Sequence, residues 1–272
     1  MVNIGDFGNS APGDTSFFIS DVHLGSDDPR LEEMKKKTLF PFLEMVLEEG
    51  KELFILGDLF DFWFEYGQAI PGKHAGLLSW LWRLTQRGVA VHYIVGNHDY
   101  WAGRYFEKEL GVTVHKEPVI MELDGRKAFL THGDGHGEGD TGYKILKRVL
   151  RNKFTIFLFG LIPPRLGFHV ARLASAASKA DYEKKSLKAS KVLKAYALEK
   201  LATDDIDLFL TGHTHRPELV EQGDKYFLNT GDWIRHLTYA VMRDGELKLM
   251  KWGTRVEELA ATAVDSDSQH SQ

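Results

Sequence analysis

An α/β fold with its chemistry gathered at strand ends is predicted by three features of the sequence. Short apolar runs rich in β-branched and aromatic residues recur, and each stops at Gly, Asp or His. Helical patterns separate the early runs, so the first half alternates strand and helix as layered α/β proteins do. From Thr141 to about Leu201 the pattern is helical with no strand signal, which marks an insertion or cap.

In chain order, the strands are SFFIS before Asp21, LFIL before Gly57, VHYIV before Gly96, KAFLT before His132 and LFLT before Gly212. Helices are predicted over Leu31 to Glu49 and Leu77 to Arg87. Functional residues are expected at the strand C-termini, where open α/β sheets place their sites. Ile162-Pro163-Pro164 must interrupt the helical stretch, because proline lacks the amide hydrogen a helix needs. KYFLN, TYAVM and ELKLMKW follow as further strands. The organisation expected is one domain over 15–252, with a helical cap over about 141–201, and a polar tail over 253–272 that is disordered.

The 272 residues suffice for one large core. A net charge of −5 provides no basic field, so no nucleic acid is expected as a partner. The absence of cysteine excludes disulfides, thiolate nucleophiles and zinc–thiolate sites, and leaves imidazole, carboxylate and amide as candidate metal donors. It also fits a reducing cytoplasm. The N-terminal stretch lacks the features of a signal peptide, and no apolar run reaches the ~18 residues that span a bilayer. The expectation is a protein in solution or seated on a surface.

Asp21-Val22-His23 follows the first strand, where alternate side chains of an extended segment would aim Asp21 and His23 at one ion. Gly57-Asp58 closes the second strand, with Asp61 close behind. Gly96-Asn97-His98-Asp99 offers an amide oxygen, an imidazole and a carboxylate able to orient that imidazole. His132-Gly133-Asp134 and Gly212-His213-Thr214-His215 end two more strands, the second with two imidazoles spaced to point alike. Each motif alone is ordinary punctuation. Five of the twelve histidines falling in order at strand ends is not.

The series DVHLG, GDLFD, GNHD, HGD, GHTH resembles the calcineurin-like metallophosphoesterases, over Asp21 to His215. The resemblance implies a four-layer αββα sandwich with two divalent ions at the strand ends. One ion would take Asp21, His23, Asp58 and His215. The other would take Asp58, Asn97, His132 and His213, with Asp58 bridging. Oxygen and imidazole donors suit manganese, iron or zinc, and manganese is the ion expected. Two such ions acidify a shared water and clamp the attacking and leaving oxygens of a displacement at phosphorus. His98, beside Asn97 with Asp99 behind it, is expected to protonate the leaving oxygen or stabilise its charge, which makes His98 and Asp99 the candidate catalytic pair.

Within that superfamily the chain is most similar to the UDP-2,3-diacylglucosamine pyrophosphohydrolases of lipid A synthesis. The likeness rests on GDLFDFW (57–63), HGDGHGEGDTGYK (132–144), SKADYEKKSL (178–187) and GHTHRP (212–217). It implies cleavage of a nucleotide-sugar lipid to 2,3-diacylglucosamine 1-phosphate and UMP. Substrate contacts are then expected from Asn97, His98, Asp140, Ser178, Lys185 and His213. Two positions depart from that pattern: His98 stands in place of Arg, and Tyr182 in place of a cap Asn. In the cap, Lys144, Lys147, Arg148, Arg151 and Lys153 precede an apolar run, 154–162. Such a segment suits peripheral contact with the cytoplasmic face of an acidic inner membrane, or an amphipathic helix packed on the core. Phe60, Phe62, Trp63, Phe64 and Tyr66 line an acyl pocket or belong to the core. The competing functions are a phosphatase acting on another phosphate ester, and a metal-free binding scaffold, which should have lost ligands that this chain retains.

Overall fold

The computed structural model describes residues 13–25, 28–66, 69–136, 147–167, 169, 182–253, 257–259 and 262–263. Two sheets form its centre. The first has the order β12-β11-β10-β1-β2-β3-β4, the second β13-β8-β9-β7-β6-β5. In the first sheet β1 (Thr15–Ile19), β2 (Gly50–Leu56), β3 (Ala90–Ile94) and β4 (Thr113–His115) are parallel. β10 (Thr238–Arg243), β11 (Glu246–Lys251) and β12 (Glu257–Leu259) extend it antiparallel. In the second sheet β6 (Arg126–Leu130), β7 (Leu208–Thr211) and β9 (Lys225–Asn229) are parallel. β5 (Val119–Leu123) and β8 (Glu218–Gln222) flank them antiparallel, and β13 (Thr262–Ala263) adds to β8.

The period-2 alternation of each strand builds the layers. Phe18, Phe54 and Leu56 face inward, meeting Leu130, Leu208, Leu210 and Leu228 of the second sheet. Their neighbours Phe17, Ile19, Leu53 and Ile55 face outward, under α1 (Pro29–Glu49), α2 (Ala75–Gln86) and α3 (Arg104–Glu109). On the far side Phe209 and Phe227 take Leu193, Ala197 and Leu201 from α5 (Tyr182–Thr203). The result is helix, sheet, sheet, helix, as expected. Each fully buried Leu or Phe contributes about 1.5–3 kcal/mol to this stack.

Helix α1 begins two residues earlier than its apolar pattern, because Asp28 caps it, accepting from the amides of Arg30 and Leu31, and Pro29 suits the first turn. It continues through Pro41, forgoing one hydrogen bond. The long helical stretch departs from expectation in two ways. It is several pieces among the described residues: 147–150, α4 (Lys153–Gly160), 164–167 and α5. Besides the proline break there is one at Asn152, whose side chain caps α4 by accepting from the Phe154 amide at 2.8 Å. The C-terminal half of α5, within the stretch expected to form the cap, instead forms the fourth layer of the sandwich. The tail expected to be disordered from 253 instead contributes β12 and β13, which pair with β11 and β8. β4, β5 and β8 had no sequence signal: β4 spans three residues, and β5 and β8 mix apolar with charged or amide side chains.

Candidate metal centre

The parallel strands of both sheets deliver their C-termini to one edge of the sandwich. β1 brings Asp21 and His23, β2 brings Asp58 and Asp61, and β3 brings Asn97 and His98. From the second sheet, β6 brings His132 and β7 brings His213 and His215. Asp21 Oδ1 lies 3.1 Å from His215 Nε2 and 3.7 Å from His23 Nε2. Asp58 Oδ2 lies between the two halves, 3.7 Å from His23 Nε2 and 3.3 Å from His132 Nε2. Asn97 Oδ1 is 3.2 Å from His132 Nε2, and the His213 ring packs on that of His132 at 5.0 Å.

The extended-chain reason given for these pairs is corrected by the backbone. Asp21 (φ 52°), His23 (φ 49°), Asp58 (φ 51°), His213 (φ 71°) and His215 (φ 53°) all adopt the left-handed region. Kinks aim these side chains, not strand alternation, and each kink costs of order 1–3 kcal/mol that the surroundings must offset. Hydrogen bonds do so: the Asp21 amide donates to Gly57 O (3.1 Å), the His23 amide to Asp58 O (2.9 Å) and the Trp233 amide to Asp21 O (3.2 Å). The glycines of the motifs follow from close packing. A Cβ on Gly57 (φ 89°) would meet His132 Nδ1 at 2.3 Å, and one on Gly96 would meet Asp58 Oδ1 at 2.1 Å.

Backbone carbonyls set the histidine tautomers. His132 Nδ1 faces Leu56 O at 2.8 Å and His98 Nδ1 faces Asp61 O at 2.8 Å. A carbonyl only accepts, so each Nδ1 carries hydrogen and each Nε2 is turned to the site. For His23 the carboxylate of Asp61 stands 3.7 Å from Nδ1. Asp232 lies behind His215, 4.0 Å from its Nδ1, and also binds His236 Nδ1 at 2.7 Å.

The charge balance calls for a cation. Burial alone would raise the Asp21 and Asp58 carboxyls, but the surrounding imidazoles hold both well below the usual carboxylate range. Burial alone would lower His132, yet Asp58, Asp21 and Asp134 raise it to about 10. His213 shows the converse: burial, then the His132 charge, push it down to about 4. Asp21 Oδ1 and His23 Nδ1 are buried and make no hydrogen bond. His23 Nε2 and His215 Nε2 point at each other across 3.2 Å. Lone pairs converging in this way fit a divalent ion, and among the described residues three groups of side chains meet the spacing: Asp21, His23, His215; Asp21, Asp58, His132; and His23, Asp61, His98.

Asp99 does not orient His98. It is fully buried, and accepts from the Tyr93 hydroxyl and from the amides of Gly96 (2.8 Å), Asp58 (3.3 Å) and Phe60 (3.3 Å). Burial and the Asp58 charge raise it to about 6. It braces the turns that carry Asp58 and Asn97, and does not face the site. Asp140, Ser178 and the Lys185 side chain lie outside the described residues.

The sequence pattern that defines the calcineurin-like phosphoesterases matches residues 16–217, over the strands and motifs just described. The chain belongs to this family. The calcineurin-like phosphoesterase is thereby a metal-dependent hydrolase, and the family implies divalent ions. It is 31% identical over 242 residues to a UDP-2,3-diacylglucosamine hydrolase of Porphyromonas gingivalis, covering 83% of this chain and 92% of that protein. It is 32% identical over 239 residues to that of Aeromonas salmonicida, covering 86% and 92%. Against that of Haemophilus influenzae the identity is 29% over 240 residues, covering 87% and 98%. The solved structure of vacuolar protein sorting 29 from Cryptosporidium parvum aligns at 15% identity over 92% of this phosphoesterase and 100% of that chain, with a TM-score of 0.45, and carries no argument here.

Four residues with a part in this edge had no role assigned from sequence: Asp61, Asp134, Asp232 and Lys35. Asp232 had a usable signal, since Gly231-Asp232 follows β9 as Gly57-Asp58 follows β2. Asp134 is buried, pairs with Lys147 (2.7 Å) and Arg151 (3.2 Å), and is held at about 2 by His132 and these cations against the effect of burial. Those two basic residues therefore point into the rim of the site, not outward as the membrane reading supposed.

Proposed function

We propose that the protein hydrolyses the pyrophosphate bond of UDP-2,3-diacylglucosamine, releasing 2,3-diacylglucosamine 1-phosphate and UMP. The observation that carries this is full-length similarity: the three UDP-2,3-diacylglucosamine hydrolases match over 92% or more of their own length, and the family pattern over 16–217 spans the strand-end motifs. One ion is assigned to Asp21, His23, Asp58 and His215, the other to Asp58, Asn97, His132 and His213. A donor set of oxygen and imidazole without thiolate suits manganese, iron or zinc, and manganese is the ion assigned. When bound, the pair supplies Lewis acidity toward the phosphoryl oxygens and toward water.

The chain's own residues do the rest. His132, with Nδ1 fixed on Leu56 O, presents Nε2 to the centre. Asp58 joins the two halves, and the His98 amide donates to its Oδ1 at 2.9 Å. His98 presents Nε2 toward the same space, its ring 4.7 Å from that of His23, and is assigned to protonate the leaving oxygen. Asp140, Ser178 and Lys185 are assigned to substrate with Asn97, His98 and His213.

Nonpolar reach comes from α4. Phe159 packs on Phe64 (5.0 Å) and Trp101 (5.5 Å), while Phe154, Phe157 and Leu161 are each more than 60% exposed. Of the aromatic run after Asp58, Phe60 and Trp63 are core, and Phe62, Phe64 and Tyr66 sit beneath α4. Among the described residues no helix is long and apolar enough to cross a membrane. With Arg148 and Lys153 exposed alongside, this face is assigned to an anionic membrane surface, on its cytoplasmic side.

Release of UMP from UDP-2,3-diacylglucosamine by manganese-loaded protein tests the reading, with a chromogenic phosphodiester alongside. Rapid UMP release that is lost in Asp58→Ala is expected. Cleavage of the chromogenic ester alone would retain the phosphoesterase and discard the substrate.

A further inference from the structure

Lysine is among the residues least often buried, because desolvating an ammonium is costly unless it is paired. Lys35 of α1 is nonetheless 1% exposed. Its Nζ donates to the main-chain oxygen of His23 at 2.5 Å and stands 3.3 Å from Glu32 Oε1. The other oxygen of Glu32 accepts from the Gly25 amide at 2.9 Å. Two side chains one helical turn apart thus grip the backbone on either side of Leu24, immediately after the kinked His23 (φ 49°). On its opposite flank the same segment is tied to the β2 loop, through the His23 amide to Asp58 O (2.9 Å) and the Leu24 amide to Leu59 O (3.0 Å). β2 therefore places the segment, and α1 closes on it from the other side.

We propose that Lys35, with Glu32, is a positioning residue for the metal centre, locking His23 in the left-handed conformation that directs its Nε2 toward Asp21, Asp58 and His215. The proposal rests on the reading of His23 as a ligand. An ion pair kept for stability alone would be poorly placed here, since replacing both partners of a buried pair by apolar side chains of similar volume is commonly neutral or stabilising. What an apolar side chain lacks is a donor for the His23 carbonyl. Without that donor the unfavourable φ of His23 has less to hold it, and the imidazole is free to swing from the ion.

The test is calorimetric titration of manganese into the metal-stripped full chain, comparing wild type, Lys35→Met and His23→Ala, with thermal melting of each metal-free protein. Lys35→Met is expected to bind one of its two ions about 10- to 100-fold more weakly, the range for residues that orient ligands, while the other ion stays near wild type; the metal-free melting temperature falls, because the His23 carbonyl and the Glu32 carboxylate each lose a partner. Wild-type affinity at both sites would overturn the proposal, as would equal weakening of both. If His23→Ala itself binds both ions as wild type does, the ligand reading has failed, independently of Lys35. Should Lys35→Met not fold, Glu32→Ala, whose side chain is partly exposed, takes its place, and wild-type affinity in that variant overturns the proposal equally.

Discussion

His23 Nε2 and His215 Nε2 stand 3.2 Å apart although 192 residues separate them in the chain. His23 follows β1 of one sheet and His215 follows β7 of the other, so their meeting point lies on the seam of the sandwich. Two imidazole nitrogens at this separation need a proton or a cation between them, and Asp21 Oδ1 beside them accepts no hydrogen bond. An ion held here would join the two sheets as well as serve the chemistry.

Metal removal is therefore expected to destabilise the fold. With free manganese at 100 times its dissociation constant, one site adds about 2.7 kcal/mol to the folded state. Melting temperature measured in EDTA and then with manganese restored should show a reversible drop, and no drop would mean that the ion does not join the sheets.

His98→Ala should retain both ions, because its Nδ1 is bound to Asp61 O and neither proposed ligand set includes it. Turnover is expected to fall by about 10²- to 10⁴-fold, the range for a positioned acid or base. Elemental analysis alongside kcat checks both parts. Turnover equal to wild type would remove His98 from the chemistry.

His74 contributes a pH dependence unrelated to the metal centre. Burial, with Lys73 and Lys36 nearby, lowers it from 6.5 to about 3. Between those values the unfolded chain takes a proton that the folded chain refuses, so stability is lost as pH falls from 6.5 toward 3. Urea midpoints of His74→Leu should fall less steeply over that window than those of wild type, and parallel curves would refute the assignment.

Phe154 and Phe157 on α4 should anchor the protein to lipid. Sedimentation with vesicles containing anionic phospholipid should lose most of the bound fraction in Phe154→Ser/Phe157→Ser, while cleavage of a soluble chromogenic ester is unchanged. Equal binding by both proteins would place the lipid contact elsewhere.

Much of the site is legible as punctuation. Asp21, Asp58, Asn97, His132 and His213 each follow an apolar run, and a strand that is buried on both faces must expose its polar residues where it ends. Adjacency in sequence suggests a partnership of Asp99 with His98, whereas the turn after β3 sends its carboxylate inward to Tyr93 and the Asp58 amide. Lys35 and Asp232 carry little local signal: one sits in a helix that reads as amphipathic, the other at a strand end among ordinary turn residues.

The sequence by itself determined the apolar central strands, the main helices, the layered class and the candidate donors, because apolar periodicity and strand-end residues are local properties of the chain. Only the tertiary structure decided how those donors meet. The left-handed kinks at Asp21, His23, Asp58 and His213 persist because hydrogen bonds from distant segments hold them, and no window of sequence contains both the kink and what offsets its cost.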